Sequence, residues 1–327
     1  MAERSAGASR WNYSPAVPLQ VSPFFSWPPE PLRMAKWLWN SWFLISERLI
    51  LVGTAFLAWY YFQPALERCR TFEFGWIAEM YLRNLGLMFL VAGGLHLYFY
   101  TFRRQGDERK YDRRPLAKGR AFTLGHQVYD NMFWSCASGV TVWTAYEAVL
   151  MWGFANGYIP TLGFTDNPVW FVALFALIPV WESFYFYWIH RLLHVPALYR
   201  LAHHLHHRNT NVGPWSGLSM HPVEHILYLG SAMVHWLIAS HPVHVLYHLQ
   251  YFCLTAATTH AGFEGVVVKD RNRLALGTFH HQMHHRYFEC NYGGLEMPWD
   301  KWFGSFHDGT NEAHERVRGR RWQNRAG

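Results

Sequence analysis

Long apolar runs, bounded by aromatic residues, divide the first two thirds of the chain. Four of them approach the length of about 20 apolar residues that a helix needs to cross a bilayer core. They cover residues 49–66, 84–102, 131–153 and 169–189. Only Glu147 interrupts the third run and only Glu182 the fourth. The pattern predicts an all-α integral membrane protein with about four transmembrane helices, arranged as two hairpins.

A fifth run, residues 226–259, contains no Lys, Arg, Asp or Glu but carries four histidines. The sequence Ser240-His241-Pro242 divides it into two pieces, and each piece is short for a membrane span. We interpret this run as a buried or re-entrant hairpin, with a full span as the alternative.

The runs also define segments of the chain. Residues 1–36 contain six prolines and no apolar run, so they predict an irregular N-terminal arm. Residues 37–102 then hold the first transmembrane hairpin, and residues 103–309 a catalytic domain that includes the second. Residues 310–327 form a basic C-terminal tail.

Composition and charge support a membrane protein and suggest its orientation. Only 16% of the residues are charged, against about 25% in ordinary soluble domains. Residues 103–120 hold eight Lys or Arg against three acids, whereas residues 156–168 have no Lys or Arg. Basic patches can bind nucleic acid, but beside membrane spans they mark the cytoplasmic face, so we expect no nucleic-acid partner. Both chain termini should then be cytoplasmic. The four scattered cysteines predict neither a disulfide framework nor a thiolate metal site.

Histidines are concentrated after the fourth run. Seventeen of the 21 fall within residues 190–285, and three groups have regular spacing. Residues 190–194 read H-x-x-x-H, while residues 203–207 and 281–285 each contain H-x-x-H-H. On a helix, residues three or four apart share a face with Cβ atoms about 5–6 Å apart. In H-x-x-H-H the last two histidines diverge, so one triplet can serve two neighbouring ions.

Eight imidazoles are too many for one tetrahedral zinc, and two metal ions fit the count better. Clustered imidazoles would otherwise repel one another when protonated or lose solvation when neutral and buried. The spare and isolated histidines are read as ordinary surface or core residues. They are His96, His126, His204, His280, His307 and His314.

With these motifs the chain resembles the fatty acid hydroxylase and sterol desaturase superfamily of membrane di-iron oxygenases, in its lathosterol oxidase-like branch. The segments ESFYFYWIHRLLH (182–194) and RLAHHLHH (200–207) match the family's first two His boxes. FHHQMHHRYFECNYG (279–293) and WDKWFGSFHDG (299–309) match the third box and its trailing signature. The resemblance covers roughly residues 103–309.

The resemblance implies that the boxes hold two iron ions on a cytoplasmic helical cap. The ligands carried over are His190, His194, His203, His206, His207, His281, His284 and His285. His221 and His260 match further family histidines and are expected to bind metal or line the site, and His225 is a weaker candidate beside His221. Two carboxylates are expected to take part in the site. Glu182 shares a helical stripe with His190 and His194, and Asp300, like Glu224, could accept the free N–H of a ligand imidazole unless it caps a turn.

The implied activity is O₂-dependent oxidation of a C–H bond in a membrane lipid. The trailing signatures look most like the sterol C-5(6) desaturating branch, which favours a sterol and a double bond, with hydroxylation of an acyl or alkyl chain as the alternative. A zinc hydrolase or a metal-binding membrane protein is the alternative outside the oxygenases. Electrons would come from a separate cytochrome b5-like or ferredoxin-like donor with its reductase. The expected location is the endoplasmic reticulum in a eukaryote or the cytoplasmic membrane in a bacterium.

Overall fold

The computed structural model describes residues 11–43 and 46–326, and most of them are helical. The α-helices are α1 (Pro31–Leu38), α2 (Glu47–Leu57), α3 (Phe74–Met88), α4 (Gly94–His96), α5 (Gln127–Trp134), α6 (Thr141–Ala155), α7 (Pro168–Leu193), α8 (Pro196–Leu198), α9 (His204–His207), α10 (Pro222–Leu229), α11 (Pro242–Thr259), α12 (Phe279–Tyr287), α13 (Trp299–Trp302) and α14 (Asn311–Ala326).

Short segments of other helix types extend or join these helices. The π-helical segments are Trp39–Phe43, Ala58–Phe62, Phe89–Gly93, Leu97–Thr101, Ser135–Val140 and Tyr199–His203. The 3₁₀ segments are Pro23–Phe25, Leu66–Arg70, Pro214–Ser216 and Gly230–Trp236. Because several π segments continue an α-helix without a break, α3 and α4 belong to one helix, Phe74–Thr101. In the same way α5 and α6 form one rod, and α8 and α9 form another.

One β-hairpin departs from the all-α expectation. Strand β1 (Gly265–Val268) pairs antiparallel with β2 (Arg271–Ala275). Lys269 and Asp270 connect the strands, and both have positive φ values, 52° and 59°. Two successive residues of this kind form the turn whose twist suits a tight hairpin. The run of valines in β1 favours the extended backbone, but the hairpin is too short to show in a pattern dominated by helices.

Among the described residues, two helices are long and apolar enough to cross a membrane, by length and composition: Phe74–Thr101 and Pro168–Leu193. The first of these helices begins ten residues before the second predicted span and ends one residue short of its end. The other contains the fourth predicted span and extends beyond it at both ends. The helix of the first predicted span ends at Phe62 instead of residue 66, so it has only 16 residues from Glu47. The third lies in the 29-residue rod of α5 and α6. The count of four spans therefore stays a prediction.

The charge that interrupts the third apolar run has a partner on a neighbouring helix. Glu147 of α6 forms a buried ion pair with Arg83 of α3. Asn84 Nδ2 donates to Glu147 Oε2 at 3.0 Å and to Thr144 Oγ1 at 3.2 Å. Charged residues at bilayer depth are tolerated when they face other helices and are paired. Glu147 thus joins α3 to α6 and has a structural role.

Helix α11 occupies the centre of the protein. It contacts α2, α6 and α7, and almost all of its side chains are buried. The fifth apolar run is therefore covered by protein on most sides, in keeping with the buried-hairpin interpretation. Its first piece forms α10 and the 3₁₀ segment, its second forms α11, and irregular residues 237–241 separate the two.

The N-terminal arm lies on the part of the chain that carries the third His box. Backbone N–H groups of Leu19 and Ser22 donate to the carbonyls of Asp308 and Leu295. The ring of Trp11 packs edge-on against Phe279, with centroids 5.0 Å apart. Most of residues 11–30 are irregular, whereas residues 1–10 lie outside the described part of the chain. The basic tail, in contrast, is largely the helix α14.

Close packing between the loop at Gly217 and α11 gives a first prediction. A Cβ atom built on Gly217 would lie 2.0 Å from the carbonyl oxygen of Ala256. We expect Gly217→Ala to reduce the free energy of unfolding by about 1–3 kcal/mol or more, because α11 must shift to admit the methyl group. Thermal unfolding in detergent should show a lower midpoint.

Gly86→Ala is the matched control, since no atom lies within 4 Å of the corresponding position in the helix Phe74–Thr101. This change should leave the midpoint unchanged or raise it, because alanine favours helix over glycine by roughly 0.5–1 kcal/mol. An equal midpoint for Gly217→Ala and the native protein would contradict the tight contact.

Candidate metal centre

Four pieces of the chain bring histidines to one place. Helix α7 supplies His190 and ends at His194, because Pro196 cannot continue the helix. The rod of α8 and α9 supplies the second box, and α12 supplies the third. His260 caps the C-terminus of α11 and points its ring toward the same region. The site therefore forms where α7, the rod of α8 and α9, and α12 meet the C-terminus of the buried helix α11.

The histidines form two groups, in each of which all the potential ligand atoms lie within 4.8 Å of one another. The first group is His190, His194, His203, His207 and His284, and the second is His206, His260, His281 and His285. All nine are buried except His194, which is half-buried. The structure thus brings together the eight box histidines and His260.

The H-x-x-H-H spacing divides each triplet between the two groups. His203 and His207, four residues apart, belong to the first group, whereas His206 belongs to the second. In the third box the division is reversed: His284 belongs to the first group, and His281 belongs with His285 to the second. Adjacent histidines point in different directions on a helix. The two groups consequently lie side by side, with the rings of His207 and His285 centred 4.9 Å apart.

The outward ring nitrogens of five histidines are held by hydrogen bonds. Nδ1 of His203 donates to Glu224 Oε1 at 2.7 Å. Glu224 is the one carboxylate among these five acceptors. The other four histidines donate to backbone carbonyls. These pairs are His190 with Tyr292, His206 with Ser219, His260 with Ala256, and His284 with Cys290, at 2.6 to 3.3 Å. A donor at Nδ1 leaves the lone pair at Nε2 of the neutral ring, which is the form that binds metal.

The Nε2 atoms of clustered histidines face one another across short distances, including those of rings whose Nδ1 has no hydrogen bond described above. Nε2 of His194 lies 3.1 Å from Nε2 of His203 and 3.2 Å from that of His207. In the second group, Nε2 of His260 lies 2.9 Å from that of His285 and 3.0 Å from that of His281. Too few protons are available to make hydrogen bonds of all these contacts. A cation at the centre of each group would satisfy every lone pair at once, so the donor set fits two metal ions.

The pKa values of three clustered histidines agree with this fit. Burial, together with the charges that His190 and His194 would carry, holds the pKa of His284 well below its usual range. Burial and the neighbouring histidines act likewise on the pKa of His285, and burial lowers the pKa of His260 to about 4. These rings are therefore neutral at physiological pH. Neutral imidazole suits zinc, copper, iron and nickel alike, so the geometry alone does not select the metal.

A cavity of about 990 Å³ opens onto both groups. Its wall includes His190 and His203 from the first group and His206, His260 and His281 from the second. Residues of α7 from Pro179 to Leu193 also line it, a helical distance of about 21 Å. The cavity therefore runs along the inner face of a candidate membrane helix and ends at the histidines.

Comparison with known proteins agrees with this arrangement. The profile of the family described as "Fatty acid hydroxylase" matches residues 175–305, which contain all nine clustered histidines. A Delta(7)-sterol-C5(6)-desaturase from Nicotiana tabacum is 28% identical over 247 residues, 73% of this chain and 84% of that protein. Residues 175–305 thus match the fatty acid hydroxylase family, and the chain is similar over most of its length to sterol C5(6)-desaturases. The resemblance drawn from the His boxes is thereby confirmed.

Fungal relatives match over a shorter region. A Delta(7)-sterol 5(6)-desaturase from Gibberella zeae is 30% identical over 138 residues, 42% of each chain. The corresponding protein of Saccharomyces cerevisiae is 34% identical over 125 residues, 37% of this chain and 32% of its own length. The match thus spans only about two fifths of the first fungal relatives. No solved structure matches the chain significantly.

The segment after the third His box shapes the loop that orients two of the clustered histidines. The carbonyls of Cys290 and Tyr292 accept from His284 and His190, each at 2.6 Å. Between them Asn291 has a positive φ of 58°, a conformation that asparagine tolerates. Its side chain donates to the carbonyls of His280 and His307 at 3.1 and 3.0 Å. The FECNYG segment is therefore a shaped support for the metal centre.

Asp300 acts on this loop and makes no hydrogen bond with a clustered imidazole, contrary to the option considered from the sequence. Its carboxylate accepts from the backbone N–H groups of Tyr292 and Gly293, both at 2.8 Å, and from Ser305 Oγ at 2.7 Å. It thus fixes the peptide whose carbonyl orients His190, which corresponds to the alternative of a turn residue. Glu224, by contrast, accepts from His203 as expected.

Glu182 lies on α7 two turns before His190 and lines the cavity. Its carboxylate makes no hydrogen bond with a clustered histidine, so it does not hold any of those rings in place. Instead its Oε1 lies 2.9 Å from Nε2 of His248 and 3.4 Å from Ser231 Oγ. His248 and Ser231 were missed from the sequence, where the only signal was the unusual presence of histidines in an uncharged apolar run.

His221 and His225 lie outside both groups of histidines. His221 caps the N-terminus of α10, where its Nδ1 accepts from the backbone N–H of Val223 at 3.2 Å. The ring of His225 lies between Ser138 Oγ at 2.8 Å and the carbonyl of Leu218 at 3.2 Å. Both rings are thus occupied by structural hydrogen bonds. Of the two histidines added to the boxes by resemblance, the structure brings only His260 to the site.

The Glu224–His203 contact gives a second prediction. Glu224→Ala should weaken metal binding by roughly 10- to 100-fold, because the ring of His203 loses the acceptor that fixes its tautomer and orientation. Metal retained during titration with a chelator measures the change. Glu224→Gln, which keeps an acceptor oxygen, should recover part of the affinity.

His204→Ala is the matched control, since His204 lies in the second box but is exposed. It should bind metal like the native protein. Equal metal affinity in Glu224→Ala and the native protein would show that His203 needs no support from the carboxylate.

Proposed function

We propose that this protein is a membrane-bound di-iron oxidoreductase that uses O₂ to introduce a double bond into a sterol or a similar polycyclic lipid. The observation that carries the proposal is the pair of adjacent all-histidine groups at the end of a long cavity beside a candidate membrane helix. The curated relatives named as sterol 5(6)-desaturases supply the reaction and the substrate class.

The metal assignment rests on the ligand set and on the family. The ligands proposed are the eight box histidines together with His260, five around one ion and four around the other. When bound, two iron ions in this family supply reductive activation of O₂ and attack on an unactivated C–H bond. His221 and His225 are not included, because their rings are engaged elsewhere.

The protein's own contribution is to orient the ligands and the lipid and to exclude water. Aromatic rings form the cavity wall next to the first group: Phe186 stacks on His190 with centroids 4.8 Å apart. Tyr228 and Phe252 stack at 3.8 Å, and both meet Phe186 edge-on. Flat apolar surfaces of this kind suit a rigid ring system. They also keep the reactive region dry, which protects an oxidant from side reactions.

Hydroxylation is the second candidate reaction, because the matching family profile is described as a fatty acid hydroxylase. The two reactions share the removal of a first hydrogen and differ in whether oxygen is then transferred or a second hydrogen is removed. Small changes in lipid placement decide between them. A hydrolase is less well supported, since the carboxylate nearest the metal ligands, Glu224, is engaged with His203.

We further propose four membrane spans, with the His boxes and both termini on the cytoplasmic side. Apolar side chains exposed on the helices support contact with lipid, among them Leu57, Leu90, Val149 and Val169. The basic segment 103–120 supports a cytoplasmic cap, where a cytochrome b5-like or ferredoxin-like donor and its reductase would supply electrons. The proposed location is the endoplasmic reticulum of a eukaryote or the cytoplasmic membrane of a bacterium.

The reaction is tested by lipid mass spectrometry of cells with and without the protein. We expect a sterol that has lost two hydrogens, formed only when O₂ and a reductant are present, and about two irons per purified chain. His284→Ala should abolish the product, because one ion loses an imidazole, whereas His204→Ala should retain it. Addition of one oxygen to an acyl or alkyl chain would instead support hydroxylation, and turnover without O₂ would refute both reactions.

The orientation is tested by labelling of single engineered cysteines with a membrane-impermeant reagent. Thr165→Cys, in the exposed connection before α7, should react only from the non-cytoplasmic side. Arg120→Cys, in the exposed basic segment, should react only from the cytoplasm. Because the native cysteines are buried or half-buried, the native protein measures the background. Labelling of both variants from the same side would contradict the proposed topology.

A further inference from the structure

Buried polar side chains outside the metal centre form a row through the core of the protein. The row consists of Glu182, Ser231, His248, His235 and Ser240, and each of them is at most 3% exposed. They come from α7, the 3₁₀ segment Gly230–Trp236, α11 and the irregular connection between the last two. Ionisable side chains buried at bilayer depth are costly and are commonly functional.

Successive members of the row lie within hydrogen-bond distance. Glu182 Oε1 lies 2.9 Å from His248 Nε2, and the opposite ring atom, His248 Nδ1, lies 3.1 Å from His235 Nε2. His235 Nδ1 then lies 2.9 Å from Ser240 Oγ. Ser231 Oγ lies 3.1 Å from His248 Nε2 and closes the link to Glu182.

The arrangement is linear, which distinguishes it from a metal site. Each imidazole uses its two nitrogens for two different neighbours, so the ring nitrogens do not converge on one point. In one state Ser240 donates to His235, His235 to His248, and His248 to the Glu182 carboxylate. In the other state every donor and acceptor is exchanged, and Glu182 is protonated. The two states differ by one proton passed along the row.

The two ends of the row lie in different surroundings. At the inner end Glu182 lines the same cavity as His190, and its Oε2 atom has no hydrogen-bond partner among the described residues. At the outer end, the backbone N–H of Ser240 donates to the carbonyl of Pro160 at 3.0 Å, and Ser240 is paired with Thr161. Pro160 and Thr161 are exposed in the connection that precedes α7. The side chains of the row therefore extend from beneath this connection, which Ser240 contacts through its backbone, to the cavity.

The geometry points to a proton relay from the Pro160–Thr161 connection to the metal-site cavity, with Glu182 as its delivering group. This inference rests on the proposed function, because desaturation consumes protons. For each double bond, the lipid gives up two hydrogens, the donor supplies two electrons, solvent supplies two protons, and O₂ is reduced to two waters. The row could deliver those protons, because it ends at Glu182 in the wall of the cavity.

One passage along the relay conserves every atom. The Ser240 hydroxyl, which is buried beneath the exposed residues Pro160 and Thr161, gives its proton to His235 Nδ1 and takes another from a water molecule that enters at this connection. His235 releases a proton from Nε2 to His248 Nδ1, and His248 releases one from Nε2 to the Glu182 carboxylate. Oε2 of Glu182 then presents the proton to the cavity. Rotation of the hydroxyls and reorientation of the rings restore the starting state.

Deuterium uptake by Glu182 tests the relay without turnover or metal. In the full-length metal-free protein in detergent, infrared spectroscopy after rapid transfer to acidified D₂O follows the carboxyl band that Glu182→Gln removes. His235→Gln keeps a polar side chain but cannot exchange tautomers. The His235→Gln substitution should slow deuterium uptake by at least about tenfold. This is less than the factor of about 10²–10⁴ by which positioned acid–base groups accelerate proton transfer steps. His248→Gln should have the same effect.

His244→Gln is the matched control. His244 is buried on α11 one turn before His248, but its ring bonds the Phe171 carbonyl and the backbone N–H of His241, outside the row. It should leave deuterium uptake at the native rate. Uptake at the native rate in both His235→Gln and His248→Gln would overturn the relay, as would a Glu182 carboxyl that never takes up a deuteron. Unfolding temperature and bound metal should match the native protein in each variant used.

Turnover provides a second readout. In the metal-loaded protein, His235→Gln should lower kcat and increase the solvent deuterium isotope effect while leaving KM for the lipid unchanged. A purely structural role for the row would lower stability or raise KM without changing the isotope effect, and that result would also refute the relay. If the lipid is not oxidised at all, the proposed function fails, but the deuterium-uptake experiment still decides whether the row conducts protons.

Discussion

Nine imidazoles within two adjacent clusters set the constraint on which the rest of this structure depends. Neutral rings whose Nε2 lone pairs lie about 3 Å apart repel one another, and protonated rings would do so more strongly. Burial removes the water that could relieve either problem. A cation in each cluster turns this repulsion into attraction. The surrounding protein holds the rings close together, and metal binding is expected to stabilise the folded state.

The supports of the clusters are mostly backbone carbonyls. Four of the five fixed Nδ1 atoms donate to main-chain oxygens, and two of those oxygens belong to the short loop at Cys290 and Tyr292. Asp300 and Asn291 hold that loop from either side, so they influence the ligands without touching them. Substitution of either residue would therefore disturb the metal centre through the orientation of a peptide group.

Two sets of buried polar side chains in the apolar core around the clusters differ in character. Arg83 of α3 and Glu147 of α6 form an ion pair that connects the two helices. The row that ends at Glu182 has a different character, because it connects a cavity to an exposed connection and contains groups that can both donate and accept.

The sequence by itself determined the superfamily, the His boxes and the apolar runs, because helical spacing and run length are local properties. It also predicted that adjacent histidines of a box would serve different ions. The inclusion of His260 and the exclusion of His221 were decided by tertiary structure. Neither histidine belongs to a regularly spaced box, and only packing brings the end of α11 to the clusters while it leaves the start of α10 outside them. The turn role of Asp300 and the contact between Glu182 and His248 join residues remote in sequence, so no local pattern could report them.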